Sequence, residues 1–135
     1  MHFKGNIIIT DPCYIIDEEN TDDWDDCEYG CNMEELGITN YICRDTLYGD
    51  WSCTVFDTVN ENKIGNFSAD AGMVAVFLLD EVLKYNPHFN YHTEKPNTTT
   101  LIKNFDGDVT FELNGDNVHV VGKGNINFKS TQNQF

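Results

Sequence analysis

The chain has 135 residues, 40% hydrophobic and 13% aromatic, with 23 acidic against 8 basic side chains and a formal net charge of −15 at pH 7. Length and apolar content suit one domain, 1–135, able to bury roughly two thirds of its unfolded surface, and exclude a disordered acidic tail. Charge of this sign repels phosphate backbones and anionic bilayers, which argues against direct nucleic-acid or membrane binding and favours a basic partner.

In chain order, Gly5 to Thr10 reads as a short buried strand, ended by Asp11-Pro12 because proline cannot donate to a ladder. Three consecutive isoleucines are too few for a signal or spanning segment, so the expected location is the cytoplasm. Cys13 to Ile16 resumes an apolar run. Asp17 to Glu28 carries eight acids in twelve positions. Thr21 suits an N-cap, Asp22 and Asp23 a first turn, and Trp24 and Cys27 an apolar edge, which predicts a short acidic helix near 22–29 closed by Gly30. Ile38 to Asp45 is β-biased. Trp51 to Val59 reads as a strand with Trp51, Cys53 and Val55 on one face and Ser52, Thr54 and Phe56 on the other, followed by a hairpin loop at Asn60 to Lys63.

Ile64 to Pro87 is the central core unit. It reads as an extended segment, a corner at Asp70-Ala71-Gly72, a short apolar strand from Met73, and a helix near 77–86 stopped by Asn86-Pro87. Thr98 to Phe105, Asp108 to Leu113, Asn117 to Val121 and Asn125 to Lys129 form an expected meander, with turns at Asp106-Gly107 and Asn114-Gly115-Asp116 and a corner at Gly122-Lys123-Gly124. Ser130 to Phe135 reads as a loosely held end. The predicted class is α+β, an antiparallel sheet with a C-terminal β-meander, one covering helix and a more exposed acidic helix.

Several constellations are candidates for chemistry. Cys27, Cys31, Cys43 and Cys53 offer four thiolates to a metal, but lack the two-residue knuckle of common zinc sites; in a reducing compartment thiols are expected rather than disulfides. Cys13 is a candidate nucleophile with His88, His92 or His119 as base, although no local signature supports it. Asp11, Asp45, Asp50 and Asp70 flank strand ends and suit either a divalent-metal hydrolase or, more commonly, capped turns. Asp22, Asp23, Asp25 and Asp26 lack the glycine and terminal glutamate of a calcium loop. Gly122-Lys123-Gly124 is too short for a phosphate loop. No cofactor is expected.

The charge is unevenly placed. Residues 1–60 hold fourteen acids against Lys4 and Arg44, a local net of −12. A small domain needs a magnitude of about 2–8 for solubility. The excess fits a surface for a cationic partner, with Asp17, Glu18, Glu19, Asp22, Asp23, Asp25, Asp26 and Glu28 as charges and Trp24 and Tyr29 as anchors.

Gly5 to Tyr14 with its Asp-Pro-Cys-Tyr, Asp45 to Cys53 with Gly-Asp-Trp-Ser-Cys, Gly65 to Gly72 with Ala-Asp-Ala-Gly, and Val121 to Phe128 resemble a group of small proteins of anaerobic bacteria, their phages and mobile elements, within a domain family of unknown function. The resemblance implies a β-rich accessory protein and carries no catalytic residue over.

Together these features predict a non-enzymatic acidic inhibitor of a host nucleic-acid-binding defence effector, of anti-CRISPR or anti-restriction type, acting by nucleic-acid mimicry in the host cytoplasm. One alternative is a metal- or thiol-dependent hydrolase of small phosphorylated or nucleotide signals using Asp11, Cys13, Asp50 and Asp70. Another is a small-molecule sequestering domain with a ligand pocket between sheet and helix lined by Trp51, Phe67 and Tyr85.

Overall fold

A computed structural model describes residues 1–16, 33–46, 51–70, 72–91, 98–115 and 117–132. Eight strands make one sheet: β1 (His2–Thr10), β2 (Tyr41–Asp45), β3 (Trp51–Asp57), β4 (Lys63–Ala69), β5 (Met73–Leu78), β6 (Thr99–Asn114), β7 (Asn117–Gly124) and β8 (Phe128–Gln132). Their order across the sheet is β2-β5-β1-β6-β7-β8-β3-β4, and every pairing is antiparallel.

This corrects the α+β expectation. Strands hold 61% of the described residues and helical turns 13%. The α-helix among the described residues, α1 (Leu79–Tyr85), begins two residues later than the predicted 77–86. Phe77 and Leu78 belong to β5 because the ladder to β1 takes them, as the partners of Ile8 and Ile7. An apolar run of this length does not reveal by periodicity where strand gives way to helix. The acidic helix expected near 22–29 lies outside the described residues.

The sheet buries two faces. Phe3, Ile7 and Ile9 of β1 join Trp51, Cys53, Val55, Phe67, Ile102, Phe105, Val120 and Phe128 in an interior cluster. Ile8 points the other way, with Ala75, Phe77, Leu79, Val82, Ile15, Met33, Ile38 and Phe89. A strand covered on both sides reads as a continuous apolar run, which explains Ile7-Ile8-Ile9 and the stretch through β5. The sheet also rolls. β4, last in the order, returns against the start of β6, where the Ser68 N–H reaches the Thr98 carbonyl at 3.4 Å. Gly65 permits the approach, since a Cβ there would stand 3.0 Å from Thr100 Cγ2.

The predicted turn at Asp106-Gly107 does not exist. β6 runs straight through it, pairing with β1 up to Asp108 and with β7 from Gly107 onward. Gly107 faces Gly124, and a Cβ on either would lie 2.6 Å from the other's Cα. Here glycine serves close approach of two backbones rather than a reversal. Asn125 secures the crossing, accepting from Asp106 N–H at 2.9 Å and donating its side-chain amide to Asn104 O at 2.7 Å. Gly122-Lys123-Gly124 is likewise strand rather than corner, and Ser130 to Gln132 pair with β3 rather than hang loose. The hairpin after Asn114 does use its glycine for a reversal, with Gly115 at φ +63°.

Candidate functional site

Three of the residues singled out by sequence meet where β1 ends and β4 passes to β5. Asp11 leaves the strand in extended geometry and caps a 3-10 turn, Pro12–Tyr14, in which proline occupies the first position where its missing N–H is not needed. The Asp11 carboxylate is fully buried and receives two backbone donors, Cys13 N–H at 3.0 Å and Met73 N–H at 3.3 Å. It therefore joins the end of β1 to the start of β5.

Tyr14, which follows in the same turn, donates its phenol to Asp70 on the β4–β5 corner. Burial first, then that hydrogen bond, then the negative charges of Asp70, Cys13 and Asp11 push the phenol well above its ordinary range. Tyr14 thus stays a proton donor at neutral pH. Gly72 turns the corner at φ +73°, and its carbonyl accepts both the N–H and the hydroxyl of Thr46 at 2.8 and 2.9 Å. Nothing in the sequence around Tyr14 marks it as a functional residue. The Asp-Pro that precedes it, which commits the chain to a tight turn aimed at the corner, was the available signal for its placement.

Asp11, Cys13 and Asp70 are thus gathered around Tyr14, while Asp50 lies outside the described residues. The gathering is structural in kind: one carboxylate holds two backbone N–H groups and the other a phenol. Asp45 ends β2 opposite Met73 and is exposed. Among the described residues no group of three His, Cys, Asp or Glu converges as a metal set. Of the proposed bases, His119 is buried on β7 with Nδ1 2.7 Å from the Ser130 carbonyl, His88 is exposed after α1, and His92 is outside the described residues.

The four-cysteine set is not assembled as thiolates. Cys43 is disulfide-bonded, contrary to the expected thiol, and Cys53 is a free thiol in the interior cluster, pushed by burial up to about 12. Cys27 and Cys31 lie outside the described residues, as do Asp17, Glu18, Glu19, Asp22, Asp23, Trp24, Asp25, Asp26, Glu28 and Tyr29. The pocket expected between Trp51, Phe67 and Tyr85 does not form, because Trp51 and Phe67 face the interior whereas Tyr85 packs on the opposite face with α1. Two interior polar atoms, Trp51 Nε1 and Thr100 Oγ1, are buried without a hydrogen-bond partner.

Compared with known protein families, curated proteins and solved structures, the chain finds no match. Among the described residues no helix is long and apolar enough to cross a membrane.

Proposed function

We propose that the protein is a non-enzymatic acidic binding protein that occupies the cationic nucleic-acid groove of a basic partner in the host cytoplasm. Inhibition of a defence effector, of anti-CRISPR or anti-restriction type, is the role this chemistry suits. The supporting observation is the charge: −15 overall, with −12 in residues 1–60. Among the described residues little of it is neutralised by lysine or arginine. Of the described lysines and arginine, Lys129 alone stands within ion-pair distance of a carboxylate, Glu112 at 3.6 Å. Asp22, Asp23, Asp25 and Asp26 supply charge and Trp24 and Tyr29 apolar contact.

The test is capture of the partner at low and high salt by the wild type and by a variant with Asp22, Asp23, Asp25 and Asp26→Asn. Binding should weaken with salt and with the substitutions. Capture indifferent to both overturns the proposal. The hydrolase reading uses Asp11, Cys13, Asp50 and Asp70, and stoichiometric metal or turnover in purified protein would favour it instead.

A further inference from the structure

Asn114 is the chain's one asparagine followed by glycine, and the pair stands where β6 turns back into β7. This hairpin projects past the interior cluster. Asn114 and Gly115 are exposed, and Leu113 beside them is 54% exposed. The ladder ends with Asn114 opposite Asn117, so opening the tip breaks that last pair and disturbs little buried apolar surface. Among the described residues, neither the Asn114 side chain nor the Gly115 N–H has a hydrogen-bond partner.

An asparagine side-chain carbonyl is attacked by the next backbone nitrogen when that nitrogen is accessible and the chain can rotate to meet it. Glycine satisfies both needs, having no Cβ to shield the nitrogen and the widest backbone freedom. Gly115 stands at φ +63°, and a Cβ built there would meet nothing within 4 Å, so the space around the reacting pair is open. Asp106-Gly107, in the same strand, is the contrast. An aspartate before glycine closes the same ring with loss of water, but Gly107 pairs with Phe3 on one side and Gly124 on the other. The Asp106 N–H is held by Asn125 at 2.9 Å and its carboxylate by His2 at 2.9 Å. Two ladders fix the backbone where the reaction needs it to turn.

We infer that Asn114 is a site of spontaneous deamidation, with water as the co-reactant. The Gly115 nitrogen bonds to Asn114 Cγ, the Cγ–Nδ2 bond breaks, and the displaced nitrogen leaves as ammonia with the Gly115 proton. The product is a five-membered succinimide. Water opens either of its carbonyls to give aspartate or isoaspartate, and no electrons are exchanged. Each conversion adds one negative charge at the hairpin tip. The isoaspartyl form also adds a carbon to the backbone beside the Asn114–Asn117 pair, and makes the tip a substrate for a methyltransferase that esterifies isoaspartyl carboxylates from S-adenosylmethionine. The site uses none of the residues assigned to the basic partner, so it stands or falls independently of that reading.

Incubation of the intact protein at mildly alkaline pH, with and without urea, tests it. Peptide mapping by mass spectrometry reads the amide-to-carboxyl change, and methyl transfer from labelled S-adenosylmethionine reads isoaspartate. In the native protein Asn114 should convert at least about tenfold faster than any other described asparagine. Isoaspartate should form at 114 and not at 106 in the native protein, and at both in urea. N114Q, whose ring closure needs six members, should lose the conversion. G115A should slow it in the native protein and in urea alike, because the added Cβ shields the nitrogen. An Asn114 that stays intact in the native protein while it converts in urea overturns the inference. So does native isoaspartate forming as fast at 106 as at 114, or an undiminished rate in G115A.

Discussion

The carboxylate of Glu81 on α1 takes both donors of Thr39, the backbone N–H at 2.9 Å and the hydroxyl at 2.8 Å, and its second oxygen takes the Asn40 N–H at 3.1 Å. The segment that leads into edge strand β2 is therefore clamped to the helix by one side chain. Burial alone would raise the pKa of Glu81, but the hydrogen bonds from Thr39 and Asn40 outweigh it and hold the group below its ordinary 4.5. A depressed folded value stabilises the fold above the unfolded value, and the contribution is lost as pH falls through the folded value. Glu81→Gln should therefore cost about 1 kcal/mol at neutral pH, and the gap to wild type should narrow as pH falls below 4.5 and through the lower folded value. Urea unfolding of both proteins across that window measures it; a gap of constant size would show that the charge is not involved.

Asp11 should matter more for stability than for any chemistry. Asp11→Ala leaves the Cys13 and Met73 N–H groups without their buried acceptor and should cost about 2–3 kcal/mol by denaturant midpoint. Tyr14→Phe loses a hydrogen bond at the surface of the same corner and should cost about 1 kcal/mol or less. A Tyr14 loss larger than the Asp11 loss would mean the corner is held by the phenol instead.

The two glycine positions separate two physical costs. Alanine at Gly124 meets backbone of β6, which cannot rotate away, and should destabilise by about 1–3 kcal/mol. Alanine at Gly115 meets nothing within 4 Å and carries only the cost of its left-handed backbone, about 1–2 kcal/mol, which Asn should largely relieve. Thermal unfolding of G124A, G115A and G115N orders them; rescue at 124 by any larger residue would contradict the close-approach account.

Thr100→Val removes a buried hydroxyl that has no partner while preserving shape, so it should be neutral or stabilising by up to about 1 kcal/mol. Loss of stability in that variant would mean the hydroxyl is satisfied in solution.

The cysteines should divide by accessibility. Iodoacetamide at mildly alkaline pH should label Cys13 in the native protein and Cys53 only after unfolding, because burial keeps Cys53 a thiol. Cys43 should resist labelling until a reductant is added. Peptide mapping by mass spectrometry reads all three.

Much of the sheet was legible one strand at a time. Trp51, Cys53 and Val55 alternate with Ser52 and Phe56, and Asn114-Gly115 marks a reversal, since side-chain period and positive φ are local properties. The corner at Asp70 and Gly72 was legible for the same reason. Asp106-Gly107 is ambiguous in sequence because the same dipeptide serves a reversal or a close approach, and only the presence of Gly124 opposite decides between them. The disulfide state of Cys43 and the face on which Tyr85 packs were equally hidden, since both depend on partners distant in the chain.

The amino-acid order by itself determined the net charge, the strand periods and the tight turns, because charge, alternation and backbone preference act between near neighbours. Only the tertiary structure decided that β6 is one long strand shared by two partners and that β4 closes against it. Those outcomes come from register and rolling of the sheet, which are set by contacts between residues far apart in the chain.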